Sequence, residues 1–224
     1  MIKRRNFLAG GACASTLLIA GCSSSIRENN PIARFREQRS AKQSFASLYG
    51  PLPNEEFPIP AVPKDGLDPK FFRQRVDYKT SEKPGTVIVD TQTFYLHLVE
   101  DGGTAMRYGV GLGRQGFEWS GRAKVQWKRP WPTWTPPEEM IEREPELEKY
   151  SAENGGMEPG LKNPLGARAL YIFQNGVDTL YRLHGTPEHW SIGKAVSSGC
   201  VRLINQDVVD LYDRVRPGSD IIVT

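Results

Sequence analysis

Two residues whose types suit proton transfer and nucleophilic attack stand sixteen positions apart in this 224-residue chain: His184 and Cys200. A thiol at its ordinary pKa is little ionised at neutral pH, and an imidazole within reach activates it by taking the proton. Gly199, directly before the cysteine, lets backbone approach a substrate carbonyl closely. Backbone N–H groups beside the nucleophile could hold an oxyanion as it develops. Arg202 adds a fixed positive charge two residues on, suited to a carboxylate. Each feature alone has a plainer reading: a structural buried thiol, a core or surface histidine, a solvated arginine. Their concentration in LHGTPEHWSIGKAVSSGCVRL, residues 183–203, together with three glycines, favours chemistry.

Cysteine usage supports that reading. The chain holds Cys13, Cys22 and Cys200. The first two fall in or at the end of an N-terminal segment, MIKRRNFLAGGACASTLLIAGC, that reads as an export signal: a charged start at Lys3, Arg4 and Arg5, then an apolar stretch too short for a comfortable membrane span. Arg4-Arg5 followed by Asn-Phe-Leu resembles a twin-arginine signal. Ile19-Ala20-Gly21-Cys22 resembles a lipobox, in which Cys22 would be acylated and become the first mature residue. Beyond the signal one thiol remains, so neither a disulfide framework nor a multi-cysteine zinc site is expected within the domain. The first 21 residues also carry the excess charge. Without them 26 basic residues balance 26 acidic ones, which gives no basis for nucleic-acid binding.

The elements that must position the pair read as mainly β. TVIVD from residue 86 and TFYLHLV from residue 93 are strand-like, and Glu-Asp-Gly-Gly at 100–103 signals a hairpin into AMRYGVGLG. AKVQW at 123–127, ALYIF at 169–173, TLYRL at 179–183 and the final DIIV continue the pattern, with Asn175-Gly176 as a second hairpin turn. One helix is clear: Val208, Leu211, Tyr212 and Val215 share a face, Asn205 could cap its start, and Pro217-Gly218 closes it. Shorter helices are expected over Glu138 to Glu144 and within Pro31 to Leu48. Tyr49 to Pro69 is proline-rich and suits an extended wrapping segment rather than a central strand. The expected organisation is a signal at 1–21, a tether and proline-rich arm at 22–84 without a core of its own, and a catalytic domain at 85–224.

The segment around His184 and Cys200 resembles the signature of the L,D-transpeptidase catalytic domain, the YkuD-type family. The resemblance rests on His184-Gly185-Thr186, Ser191-Ile192-Gly193, Ser197 and Gly199-Cys200-Val201-Arg202, and on the closing LINQDVVDLYDRVRPGSDIIV. PWPTWTPPEEMI and GGMEPGLKNPLGARAL are similar to the family's lid-like and substrate-side loops. The resemblance covers about 86–224 and implies a β-sandwich or barrel-like domain with short helices. It implies Cys200 as nucleophile, His184 as proton donor and acceptor, and the Gly185 carbonyl as the group that orients His184. Backbone N–H groups around Ser198, Gly199 and Cys200 would form the oxyanion hole, with Arg202, Ser197, Thr186 and Trp190 on the substrate side. One departure stands out: the family often has histidine two residues before the cysteine, where this chain has Ser198. That touches fine tuning of thiolate or substrate rather than the reaction class.

The implied function is an exported, periplasmic or envelope enzyme acting on peptidoglycan stem peptides. Cys200 would release D-Ala from a tetrapeptide stem and pass the acyl group to an amine. That amine could belong to another stem, a D-amino acid or a wall-anchored envelope protein. Water as acceptor would make it a carboxypeptidase or trimming enzyme, and a non-catalytic wall-binding lipoprotein is the third reading. No cofactor or metal is expected, and membrane contact only through a lipid on Cys22. Among the remaining candidates, His97 reads as structural within its strand and Tyr95 as a core-strand position. His189 could contact substrate beside Trp190, Trp127, Trp131 and Trp134 could line a groove, and Asn163 and Gly166 could face substrate.

Overall fold

The computed structural model describes residues 45–113, 120–197 and 200–224, with the Ser197 side chain left out, and all of them belong to one compact unit. The signal and Cys22 lie outside the described residues. A helical turn over 45–49 (α1) comes first, followed by β1 Gln74–Asp77, β2 Val87–Asp90, β3 Tyr95–Glu100, β4 Thr104–Gly109 and β5 Leu112–Gly113. Then come β6 Gly121–Pro130, α2 Glu138–Arg143, β7 Arg168–Gln174, β8 Val177–Thr186, β9 Ala195–Ser197, β10 Val201–Ile204, α3 Asn205–Arg214 and β11 Asp220–Val223. The protein is mainly β with a few short helices. Among the described residues no helix is long and apolar enough to cross a membrane.

Nine strands form one sheet in the order β1-β4-β3-β2-β11-β6-β7-β8-β10, and β5 pairs with β9 in a separate two-stranded ladder. Most neighbours are antiparallel, but β11 runs parallel to β2 and β10 parallel to β8. Both hairpins read from the sequence are present. Asn175 (φ 52°) and Gly176 (φ 82°) are left-handed together, as a tight two-residue turn between β7 and β8 requires. The period-2 pattern buries Val87, Val89, Leu96, Leu98, Leu170, Ile172, Leu183, Val201 and Leu203 in one core. Helix α3 closes that core with Val208, Leu211 and Val215, spaced to share one face.

Asn205 does not cap α3. The cap position is Ile204, and the Asn205 Oδ1 instead accepts the Ala167 N–H at 3.0 Å. A tertiary donor buried without another partner is worth more to this side chain than a helix end.

The proline-rich arm is woven into the domain. Tyr49, Val62, Leu67 and Phe71 share a buried cluster with Ile192 and Ile204, and β1 adds to the sheet at its β4 edge. The Tyr49 hydroxyl accepts the Arg73 N–H at 2.7 Å and donates to Asp207 Oδ2 at 3.2 Å, while Gln206 Nε2 donates to the carbonyls of Gly50 and Pro60. Glu55 binds Arg168 through both carboxylate oxygens at 2.8 Å and accepts from the Trp131 indole. The arm thus clamps the start of α3 and the entry to β7.

Candidate active site

Leu183 on β8 and Val201 and Leu203 on β10 point into the core, so their alternate neighbours face the other way. Two rows of side chains cross that second face. In one, Arg129, Ala169, His184 and Arg202 are register partners on β6, β7, β8 and β10. In the other, Trp127, Tyr171 and Arg182 are partners, and Cys200, which directly precedes the Val201–Leu183 pair, stands beside Arg182. His184 on β8 is therefore the register partner of Arg202 on the parallel strand β10, and Cys200, immediately before β10, stands one row away.

His184 is buried, and its Nδ1 lies 2.7 Å from the Gly185 carbonyl oxygen. That contact places the ring proton on Nδ1 and leaves Nε2 as the basic nitrogen. Burial holds the imidazole pKa down to about 4; the Arg202 and Arg182 charges push the same way, against contacts to the Gly185 and Pro164 backbone that raise it. At neutral pH the ring is uncharged and able to accept a proton.

Gly185 must be glycine. A Cβ there would fall 2.3 Å from Asn205 Oδ1 and 3.0 Å from the Ala167 nitrogen. Gly166, at φ 59°, packs against the same spot, where a Cβ would lie 2.3 Å from Asn205 Oδ1 and 2.6 Å from the Gly185 carbonyl carbon.

Cys200 is half-buried and is a thiol rather than half of a disulfide. Its Sγ lies 3.9 Å from the Leu180 carbonyl oxygen. Burial pushes the thiol pKa up, opposed by a backbone contact at Arg182 and by the Arg182 and Arg202 charges. Leu180 is a left-handed non-glycine residue (φ 63°) on a bulge of β8, where Asp178 to Arg182 faces Tyr171 to Phe173. Such a conformation costs roughly 1–3 kcal/mol and persists only where neighbours impose it. Here Asp178 imposes it, accepting the Leu180 N–H at 2.9 Å and gripping Arg182 with both oxygens at 2.7 and 2.8 Å. Ser198, Gly199 and the Ser197 side chain lie outside the described residues.

The loop from β8 to β9 is tied on both sides. Thr186 is buried, and its hydroxyl accepts the Glu188 N–H at 3.0 Å. Glu188 Oε2 meets Arg202 Nη1 at 2.6 Å, so the arginine nearest the thiol on β10 already holds a carboxylate. Trp190 is exposed, with the Lys194 ammonium 5.7 Å from its ring. From beneath, the arm presses on the loop: a Cβ on Gly66 would lie 2.6 Å from the His189 ring, and one on Gly193 2.1 Å from Phe71.

The other candidates divide clearly. Asn163 is buried and turned inward, its amide donating to the carbonyls of Pro132, Met157 and Glu158 and its oxygen accepting the Leu165 N–H. Trp131 is buried against Phe57, and Trp134 lies near Tyr150. Of the three tryptophans only Trp127 reaches the face that carries Cys200. His97 is buried and stacked on Tyr78, with its pKa lowered to about 4, mainly by burial and also by Arg107. The Tyr95 hydroxyl donates to the Lys70 carbonyl on the arm. Sequence reading missed Arg182, Tyr171, Glu188 and Asp178. Among the described residues no cluster of three or more histidine, cysteine or acidic side chains is placed to hold a metal ion.

Residues 84–223 match the YkuD L,D-transpeptidase catalytic domain, and the chain belongs to that family. A probable L,D-transpeptidase ErfK/SrfK of Escherichia coli K12 is 31% identical over 79% of this chain and 57% of its own length. A probable L,D-transpeptidase YbiS of the same strain is 35% identical over 49% of this chain and 34% of its own. The chain therefore spans little more than half of one curated relative and about a third of the other. A crystal structure of a probable carnitine operon oxidoreductase from Brucella melitensis is 47% identical, covering 73% of this chain and 99% of that one, at a TM-score of 0.49.

Proposed function

We propose that this chain is an exported peptidoglycan L,D-transpeptidase with Cys200 as nucleophile and His184 as general base and acid. The observation that carries the reading is the parallel pairing of β8 with β10, which sets His184 one row from Cys200, the residue immediately before β10, inside the segment matched to the family. His184 Nε2 takes the thiol proton as sulfur attacks the carbonyl of the bond between the diamino acid and the terminal D-Ala. The oxyanion is held by backbone N–H groups at Ser198, Gly199 and Cys200. Collapse breaks the C–N bond, and His184 returns the proton to the D-Ala amine as it leaves. The thioester is then attacked by an acceptor amine, which loses a proton to His184; the thiol leaves with that proton.

A neutral imidazole and a thiol raised by burial make the resting pair uncharged, so proton transfer accompanies attack instead of preceding it. Arg202, held by Glu188, and buried Thr186 steady the loop, and exposed Trp190 is the side chain there that is open to substrate. The acceptor is a second stem, a D-amino acid or an envelope protein amine. Export through the signal, with a lipid on Cys22, would place the domain at the wall.

The alternatives are a hydrolytic enzyme on the same fold and a chain that binds wall peptide without reacting. One experiment separates the readings: intact mass of the soluble chain incubated with a disaccharide tetrapeptide. The proposal expects an adduct on Cys200 lacking the mass of D-Ala, absent in Cys200→Ala, and transfer products with an added amine. Shortened stems alone would mean hydrolysis. Identical behaviour of wild type and Cys200→Ala would end the catalytic reading.

A further inference from the structure

The row that ends at Cys200 is a continuous stack. The Trp127 and Tyr171 rings lie 3.5 Å apart and 10° from parallel, and the Arg182 guanidinium sits 4.4 Å from the Tyr171 ring. Asp178 fixes the guanidinium from behind and also sets the Leu180 bulge beside the thiol. This stack is on the face opposite α3, so it adds nothing to the main core. Trp127 is 39% exposed at the far end of this row, and Leu180, whose carbonyl meets the Cys200 thiol, is 74% exposed. Arg129, exposed and one row away, adds positive charge on the same face.

Length selects the occupant. Neighbouring strands lie about 4.8 Å apart, so Trp127, three strands from Cys200, stands about 14 Å from the thiol. In a tetrapeptide stem, three residues separate the attacked carbonyl from the sugar that bears the stem. At about 3.5 Å per residue they span about 10 Å, and the lactyl link and the side-chain linkage of the second residue add the remainder. The stem's carboxylates suit the arginines along the path, and the flat indole at its end suits the apolar face of a sugar ring.

We propose that Trp127, Tyr171 and Arg182 form a shelf for the donor stem, with Trp127 stacking on the glycan sugar whose stem reaches Cys200. This rests on the transpeptidase reading and names a glycan subsite for it.

The test compares acyl-enzyme formation from a free tetrapeptide and from the disaccharide tetrapeptide, in wild type, Trp127→Ala and Trp127→Phe. Wild type should prefer the disaccharide substrate. Trp127→Ala should raise its KM about five- to tenfold, the scale of one lost aromatic stack, and cut the preference for the disaccharide over the free tetrapeptide by about the same factor. Trp127→Phe should restore most of the preference. No preference in wild type, or equal loss on both substrates in Trp127→Phe as well as Trp127→Ala, overturns the shelf. If Trp127→Ala alone loses both because it fails to fold, Trp127→Phe decides: a kept preference supports the subsite, an abolished one overturns it. Wild type that reacts with the free tetrapeptide but ignores the sugar defeats the subsite alone. Reaction with neither substrate defeats the transpeptidase reading itself.

Discussion

Asn205 Oδ1 occupies the space that a side chain on Gly185 would need, 2.3 Å from an ideal Cβ. The same oxygen accepts the Ala167 N–H, so it cannot retreat without leaving a buried donor unpaired. Gly185→Ala should therefore destabilise the domain by about 1–3 kcal/mol, the usual cost of overpacking. It should also move the carbonyl that holds His184. Urea titration gives the first effect, and acylation rates on the folded variant give the second. Unchanged rates would mean that the Gly185 carbonyl does not position the ring.

Charge around the thiol makes a second prediction. Arg202 favours the thiolate, and Glu188 offsets Arg202. Arg202→Gln should move the pH midpoint of Cys200 alkylation upward, and Glu188→Gln should move it downward. Because the Glu188 side chain is about half-exposed, Glu188→Gln should change stability by less than about 1 kcal/mol. Iodoacetamide kinetics across pH 6 to 10 check both shifts; movement in the same direction would refute the arrangement.

Stability against pH has a sign that can be worked out. His97 and His184 have folded pKa values near 4, below their unfolded value of 6.5. The unfolded chain therefore binds more protons in that window, and both residues cost stability as pH falls from 6.5 to about 4. Asp207 acts oppositely. Burial raises its pKa to about 7, against the pull of Arg73 and Tyr49, so its contribution is greatest at low pH and is lost as pH rises through 7. Each group contributes at most about 1.4 kcal/mol per pH unit. Denaturant titrations between pH 4 and 6.5 should show a steeper acid loss in Asp207→Asn and a shallower one in His97→Gln.

The arm should prove part of the domain. A chain starting at Pro84, where the family match begins, leaves Ile192 and Ile204 uncovered and removes the partners of Asp207. It should fail to give a cooperative thermal transition. Phe71→Ala in the full chain should cost about 3–5 kcal/mol, as for a buried phenylalanine. It should also speed amide exchange across residues 189–195, where Phe71 backs Gly193.

Much of the fold was legible in the sequence. The strands announced themselves through alternation and α3 through the spacing of Val208, Leu211 and Val215; the candidate site stood out through two residues sixteen apart, which the β8–β10 pairing sets one row from each other. The arm was not legible as part of the fold. Its buried residues stand singly among prolines with no period, and their partners are remote, as Tyr49 and Asp207 are. Asn205 and Asn163 were misread for a related reason. An asparagine's local capping and site-facing options show in sequence, whereas the distant N–H or carbonyl that claims it does not. The Trp127 stack was hidden by irregularity. Register shifts at Val125/Trp127 and Tyr171/Phe173 decide which residues meet, and neither carries a sequence signal.

The parallel pairing of β11 with β2 joins Ile221 to Val87 at the middle of the sheet. Bringing such distant segments together costs loop entropy before any contact rewards it. The β5–β9 ladder and the Gly111–Arg202 bridge also join segments far apart in sequence, so refolding from denaturant should be slow, on the order of milliseconds to seconds, and cooperative across both halves of the sheet.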